Sequence, residues 1–209
     1  MTALPGWWHP LAENAATVRA EDISRFTTPR EGGRASAVLI LLGEGPDGPD
    51  VLLLERAHTM RTHAGQRAFP GGATDPGVVG RVGTALREAS EEAGVDPASV
   101  HVVAELPALW LPPSNFVVTP VLGWWHAPHA VYAKDPAEVA VVVRVPVSVL
   151  ADPANRMRVR HPSGFTGPAF SAGGLLVWGF TAGLLSAVLD LAGWTRPWEP
   201  GRLAELPAR

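Results

Sequence analysis

Apolar positions in this chain gather into short runs separated by glycine and proline, and the period within each run predicts an element. Residues 35–42 and 51–56 are nearly unbroken apolar stretches, which predict two strands. The intervening GEGPDGPD reads as a long turn-rich loop, so the pair forms a hairpin. Phe69-Pro70-Gly71-Gly72 breaks regular structure. A helix is predicted over residues 83–93, with Val82, Leu86, Ala89 and Ala93 as its core-facing stripe. Gly94 suits the position just past the helix end. Further strands are predicted at residues 100–106, 116–125, 138–145 and 156–161, with a short helix at 146–150 and a buried C-terminal helix at 181–191.

Strands interleaved with two or three helices indicate an α/β or α+β sandwich with a mixed sheet. The length of 209 residues suits one domain better than two small ones. The expected division is an N-terminal extension over 1–34, the main domain over 35–192 and a loose Pro- and Arg-rich tail over 193–209. Residues 172–189 carry no charge and approach the length of a membrane span, yet four glycines interrupt them. They read as a buried strand or loop followed by a helix starting near Gly179, and no membrane span is expected.

Composition narrows the function. Hydrophobic residues make up 46% and charged residues 18%, a globular balance. A net charge of only -3 argues against a broad nucleic-acid surface, which would be strongly basic. The absence of cysteine excludes disulfides, thiol nucleophiles and cysteine-ligated zinc, and it fits a reducing cytoplasm. Residues 1–11 lack the basic-then-apolar layout of a secretory signal.

The candidate chemistry sits in Arg87-Glu88-Ala89-Ser90-Glu91-Glu92-Ala93-Gly94-Val95. On a helix Glu88 and Glu92 share a face, Glu91 lies beside them, and Arg87 can pair with Glu91. Clustered carboxylates repel one another, and the helix dipole disfavours them in a last turn by about 0.3–1 kcal/mol each. A hard divalent cation reverses that cost, because magnesium and manganese prefer oxygen ligands. The bland reading is a solvated acidic helix end.

The loop and helix together resemble the Nudix box, which runs from a glycine through a loop to R-E-x-x-E-E-x-G and an apolar residue. Every fixed position of that second half is present. The resemblance implies a Nudix-type α/β/α sandwich with a mixed sheet, and hydrolysis of a phosphate anhydride with Mg2+ or Mn2+. It implies metal binding by the carboxylates of Glu88 and Glu92, with Glu91 as ligand or general base and the backbone near Gly72 as a further ligand. The acidic residue usual in the loop is missing from residues 76–80, and Asp75 is the only nearby carboxylate. The box arginine, Arg87, is then held by Glu91 alone.

Upstream, Leu52-Leu53-Leu54-Glu55-Arg56-Ala57 is followed by Arg61, His63, Gly65, Gln66 and Phe69-Pro70-Gly71-Gly72. This is similar to the extra motif of the coenzyme A pyrophosphatase branch, with Leu54 where that branch usually has threonine. The similarity extends more weakly over about residues 35–190. It implies cleavage of coenzyme A or its derivatives into 3′,5′-ADP and 4′-phosphopantetheine. Arg56, Arg61 and Arg67 could neutralise phosphate oxygens, with His63 and Gln66 reaching substrate. Structural pairing of Arg61 and Arg67 with carboxylates, and a structural role for His63, are equally open.

Other residues carry less. His126 and His129 are metal-like in spacing, but Pro128 and the lack of acidic partners favour a loop. Trp7 and Trp8 hint at packing against a partner chain, as in a homodimer. The competing readings are a Nudix hydrolase of another nucleoside diphosphate-linked substrate, and a Nudix-fold binding module without turnover. The three intact glutamates argue against the last.

Overall fold

The structure, a computed structural model, describes residues 3–26, 32–59, 65–74, 80–162, 164–172 and 174–206. Strand β1 (Arg34–Gly45) is its centre. On one edge it runs parallel to β7 (Phe116–Trp125), with Arg34 opposite Phe116 and Leu42 opposite Trp124. On the other edge it pairs antiparallel with β2 (Gly48–Arg56), but only near the turn, from Leu42 opposite Val51 to Gly45 opposite Gly48. Beyond that the two strands part, and the chain after β2 fills the split. There β3 (Arg67–Ala68) bonds to β2, and β4 (Gly71–Ala73) bonds to β1. The strands β5 (Val100–Glu105) and β6 (Leu109–Leu111) lie antiparallel to β7, and β8 (Val139–Pro146) antiparallel to β2.

Both faces of this mixed sheet are covered, which is why its strands read as continuous apolar runs. Successive side chains of β1 point to opposite faces. Ala37, Leu39 and Leu41 pack with Leu52, Leu54, Val121 and Trp125 under helix α3 (Gly80–Ala93), which buries Ala85, Ala89 and Ala93. Ile40 and Leu42 join Leu53, Leu122 and Trp124 on the other face, against α4 (Val147–Ala151) and α5 (Gly179–Leu191). The α/β/α sandwich expected from the sequence is therefore present. A second sheet of four strands, in the order β11 (Leu175–Val177), β10 (Thr166–Ala172), β9 (Arg156–Arg160) and β12 (Leu203–Glu205), adjoins it.

Four expectations need correction. The loop between β1 and β2 is a two-residue turn at Pro46-Asp47, with Gly48 at φ 94°. Proline presets the first turn position and glycine takes the left-handed one, so the strands continue almost to the turn. The helix α3 begins at Gly80, a turn earlier than expected. The tail after Trp194 is not wholly loose, because β12 pairs parallel to β9.

The fourth concerns the N-terminal tryptophans, which pack against their own chain. A 3-10 turn (Gly6–Trp8) packs on α1 (His9–Ala15), and α1 and α2 (Ala20–Ile23) lie against α5. Trp8 and Leu11 are fully buried in the larger core cluster, and Trp7 stacks on Trp8 and makes a tilted ring contact with Trp194. Among the described residues no helix is long and apolar enough to cross a membrane.

Candidate active site

The split in the β1–β2 hairpin brings a glycine-rich backbone against the acidic end of α3. Main-chain bonds hold the inserted segment on both sides. Arg56 N–H donates to the Gln66 carbonyl (3.0 Å), and Leu39 N–H donates to the Pro70 carbonyl (2.8 Å). Gly71 N–H then donates to the Glu92 carboxylate (3.0 Å). At Gly72 a β-carbon would stand 2.5 Å from Glu88 Oε1, so only glycine lets this backbone approach the carboxylate. Glu88 and Glu92, one helical turn apart, thus meet the same short strand.

Glu92 is half-buried, and its carboxyl is pushed up from 4.5 to about 7. Burial is the main cause. Gly71 N–H opposes it, the negative charges of Glu88 and Glu138 add to it, and the Arg56 guanidinium opposes it. A carboxylate that resists ionisation beside others is one short of positive charge. Arg56 is half-buried, and its Nε is buried with no hydrogen-bond partner among the described residues.

A stability test follows from Glu92. Its folded pKa exceeds the unfolded one, so ionisation disfavours the fold. The penalty is absent below pH 4.5, grows through the interval and is complete above about pH 7, at up to about 3 kcal/mol without metal. Chemical denaturation of metal-free protein at pH 5 and pH 8 is expected to show Glu92→Gln gaining stability relative to wild type as pH rises. A pH-independent difference would remove the burial argument.

Arg87 holds the rest of the cluster. Its two terminal nitrogens lie 2.6 Å from Glu88 Oε1 and 2.6 Å from Glu91 Oε2. The expectation that Glu91 alone holds it is therefore corrected, since Glu88 shares it. The Glu91 side chain is 58% exposed and that of Glu88 only 17%. Glu88 and Glu92 therefore face the enclosed side, while Glu91 lies outward. Among the described residues no three acidic or histidine side chains already form a cage for a cation.

The remaining site residues separate. Arg67 is buried, and its Nη2 lies 3.2 Å from buried Glu55, which also meets His58 Nε2 at 3.0 Å. That pairing fastens β3 to β2. Gln66 is half-buried at the start of the inserted segment. Arg61, His63 and the loop residue Asp75 lie outside the described residues. His129 Nε2 accepts Asp96 N–H (3.1 Å), and His126 meets the Ala98 carbonyl, so both sit in a loop, as expected.

Sequence reasoning missed Glu138. It lies 46 positions beyond Glu92, at the start of the 138–146 segment whose weak similarity to the coenzyme A pyrophosphatase branch assigned it no role. The pairing of β8 with β2 carries it there, for Val139 is the partner of Arg56.

Comparison with known proteins bears on the family and the fold. The model of the NUDIX domain matches residues 33–162, more than half of the chain. The chain is 36% identical over 187 residues to the uncharacterized Nudix hydrolase NudL of Citrobacter koseri, covering 83% of this chain and 94% of that protein. It is 42% identical over 115 residues to the protein of the same name from Cronobacter sakazakii, where the match spans 55% of this chain and 58% of the relative. Among solved structures, a Nudix hydrolase from M. smegmatis, RenU, superposes with a TM-score of 0.54 at 19% identity, covering 84% of this chain and 96% of that one. A NUDIX hydrolase from Nitrosomonas europaea gives 0.52 at 14% identity, covering 87% and 84%. These two show a shared fold. With a family match over most of its length and a relative matched nearly end to end, the chain belongs to the Nudix hydrolase family.

Proposed function

We propose that this Nudix hydrolase cuts the pyrophosphate bond of coenzyme A or its derivatives, releasing 3′,5′-ADP and 4′-phosphopantetheine. The observation that supports this reading is where the upstream motif folds. Arg56, Ala57, Gly65, Gln66 and Phe69, the described residues similar to the coenzyme A pyrophosphatase branch, lead directly into the strand that meets Glu92 and Glu88. Arg56 is close enough for its charge to act on Glu92.

The donor set fits a hard divalent cation, Mg2+ or Mn2+. It consists of carboxylate oxygens and approachable backbone, with a half-buried carboxylate whose desolvation outweighs the opposing charge of Arg56. Glu88 and Glu92 are the proposed ligands, with Glu91 and the Gly72 backbone as further candidates. When bound, the cation supplies charge neutralisation for the phosphates and acidifies water. Arg87 shares Glu88 and Glu91 and so keeps the acidic residues in place until one is needed. Arg56 is the proposed phosphate clamp, its Nε already dehydrated and unpaired among the described residues. Arg61 and His63 are assigned to substrate by the resemblance alone.

Purified protein with Mg2+ or Mn2+ is expected to hydrolyse coenzyme A faster than ADP-ribose, diadenosine polyphosphates and nucleoside triphosphates. Product analysis should show 3′,5′-ADP, and EDTA should abolish turnover. Hydrolysis of ADP-ribose with coenzyme A untouched would overturn the substrate reading. Turnover of none would favour a binding module.

A further inference from the structure

Arg56 is the last residue of β2, and both of its main-chain groups bind the chain that returns into β3. Its N–H donates to the Gln66 carbonyl (3.0 Å), and its carbonyl accepts the Gly65 N–H (3.0 Å). On the opposite edge the ladder with β8 slips at this point. Glu55 faces Val141 but Arg56 faces Val139, which leaves Ala140 as an extra residue and locally disrupts the pairing. Gly65 and Gln66 therefore do most to set where the Arg56 side chain begins.

His58 closes this arrangement. Its Nε2 lies 3.0 Å from Glu55 Oε1, while Arg67 Nη2 lies 3.2 Å from Glu55 Oε2. The buried carboxylate is thus shared between the chain leaving β2 and the chain entering β3. A carboxylate only accepts, so Nε2 carries the proton. The rest of the ring covers Gly65. A β-carbon there would stand 2.8 Å from His58 Cε1 and 2.9 Å from Nδ1, and the glycine has φ 67°. A side chain at 65 would meet both the ring and an unfavourable backbone. The His58 side chain is 74% exposed, and an exposed pair of this kind adds little to global stability. What its two contacts supply is local: they tie Gly65 to Glu55 on either side of Arg56.

We propose that His58 is a positioning residue for Arg56. Bonded to Glu55 and seated on Gly65, its ring fixes the main-chain pair that holds Arg56, and so keeps the guanidinium in place to grip the substrate phosphates. His58 itself touches no substrate. The inference deepens the reading of Arg56 as the phosphate clamp and rests on it, but not on which nucleotide is cut.

His58→Ala, His58→Gln, His58→Asn and Arg56→Ala are assayed singly, and His58→Ala is also combined with Arg56→Ala, on whichever tested nucleotide the wild type cuts fastest. His58→Ala is expected to lower kcat/KM about tenfold, through KM more than kcat, with a melting temperature within about 3 °C of wild type. Glutamine places an N–H donor where histidine has Nε2 and should stay within about threefold of wild type. Asparagine is too short to reach Glu55 and should behave like alanine. Arg56→Ala should lose at least about thirtyfold. In that background His58→Ala should cost less than about twofold more, because nothing is left to position. The assignment is overturned if His58→Ala keeps kcat/KM within about twofold, if the two losses multiply, or if glutamine fares no better than alanine. A large loss in Arg56→Ala that multiplies with that of His58→Ala removes this inference and leaves the clamp standing. Near-normal turnover of Arg56→Ala removes the clamp and the inference with it. Absence of turnover on every substrate overturns both.

Discussion

Glutamine at position 92 is expected to lower kcat at least about a hundredfold at saturating Mg2+ or Mn2+. The substitution keeps the shape of the side chain and an oxygen for Gly71 N–H to donate to, so the contact between α3 and the inserted strand survives. It deletes the charge. In the native site that charge sits half-buried next to Glu88 and Glu138, with Arg56 as the opposing cation. Neutral glutamine would offset a divalent ion there less well, and the charge neutralisation the ion would supply to the phosphates would fall. Mn2+ titration should show weaker binding in parallel with the loss of turnover. Near-normal turnover would remove Glu92 from the ligand set and leave the cation to be held elsewhere.

The largest expected effect on stability lies far from this site. Trp8→Ala should cost about 3–5 kcal/mol, the range for emptying a large buried aromatic position. Trp8 has no exposed surface and packs in the cluster that also holds Leu184, Leu185, Val188 and Leu189 of α5. The cavity would open between the first and last helices of the described chain. Thermal melts should fall by roughly 10 °C for a protein of this size. Turnover below the melting range should change little, since Trp8 packs on the sheet face opposite α3. A loss below about 1 kcal/mol would mean that the N-terminal helices are dispensable.

Local signals made the central elements legible. The alanine stripe and Gly94 define α3, whose chain leaves the helix at φ 71° at that glycine. The unbroken apolar run of β1 reflects a strand buried on both faces. The acidic face of α3 was legible because its residues lie within one helical turn of each other. The short turn at Pro46-Asp47-Gly48 was also signalled, since proline, aspartate and glycine in that order favour a tight reversal. Surrounding glycines and prolines obscured it.

What stayed hidden depends on contacts between distant parts of the chain. Glu138 joins the site because β8 pairs with β2, and no local pattern specifies that register. The pairing of Arg67 with Glu55 depends on how β3 enters the split hairpin. Trp8 resembled an interface residue because the helix that covers it lies about 180 positions later. The β12 strand is three residues long and carries no apolar alternation of its own.

The clasp between the chain's first and last helices has a consequence for biosynthesis. Asn14 Nδ2 donates to the Leu191 carbonyl (2.7 Å), so α1 closes over the end of α5. A ribosome adding 5–20 residues per second takes roughly 10–35 s to travel between those two points. For that interval Trp7, Trp8 and Leu11 have no α5 to cover them. This aromatic segment is thus uncovered until α5 has been made. Overexpression without holdase chaperones should therefore favour inclusion bodies over properly folded product.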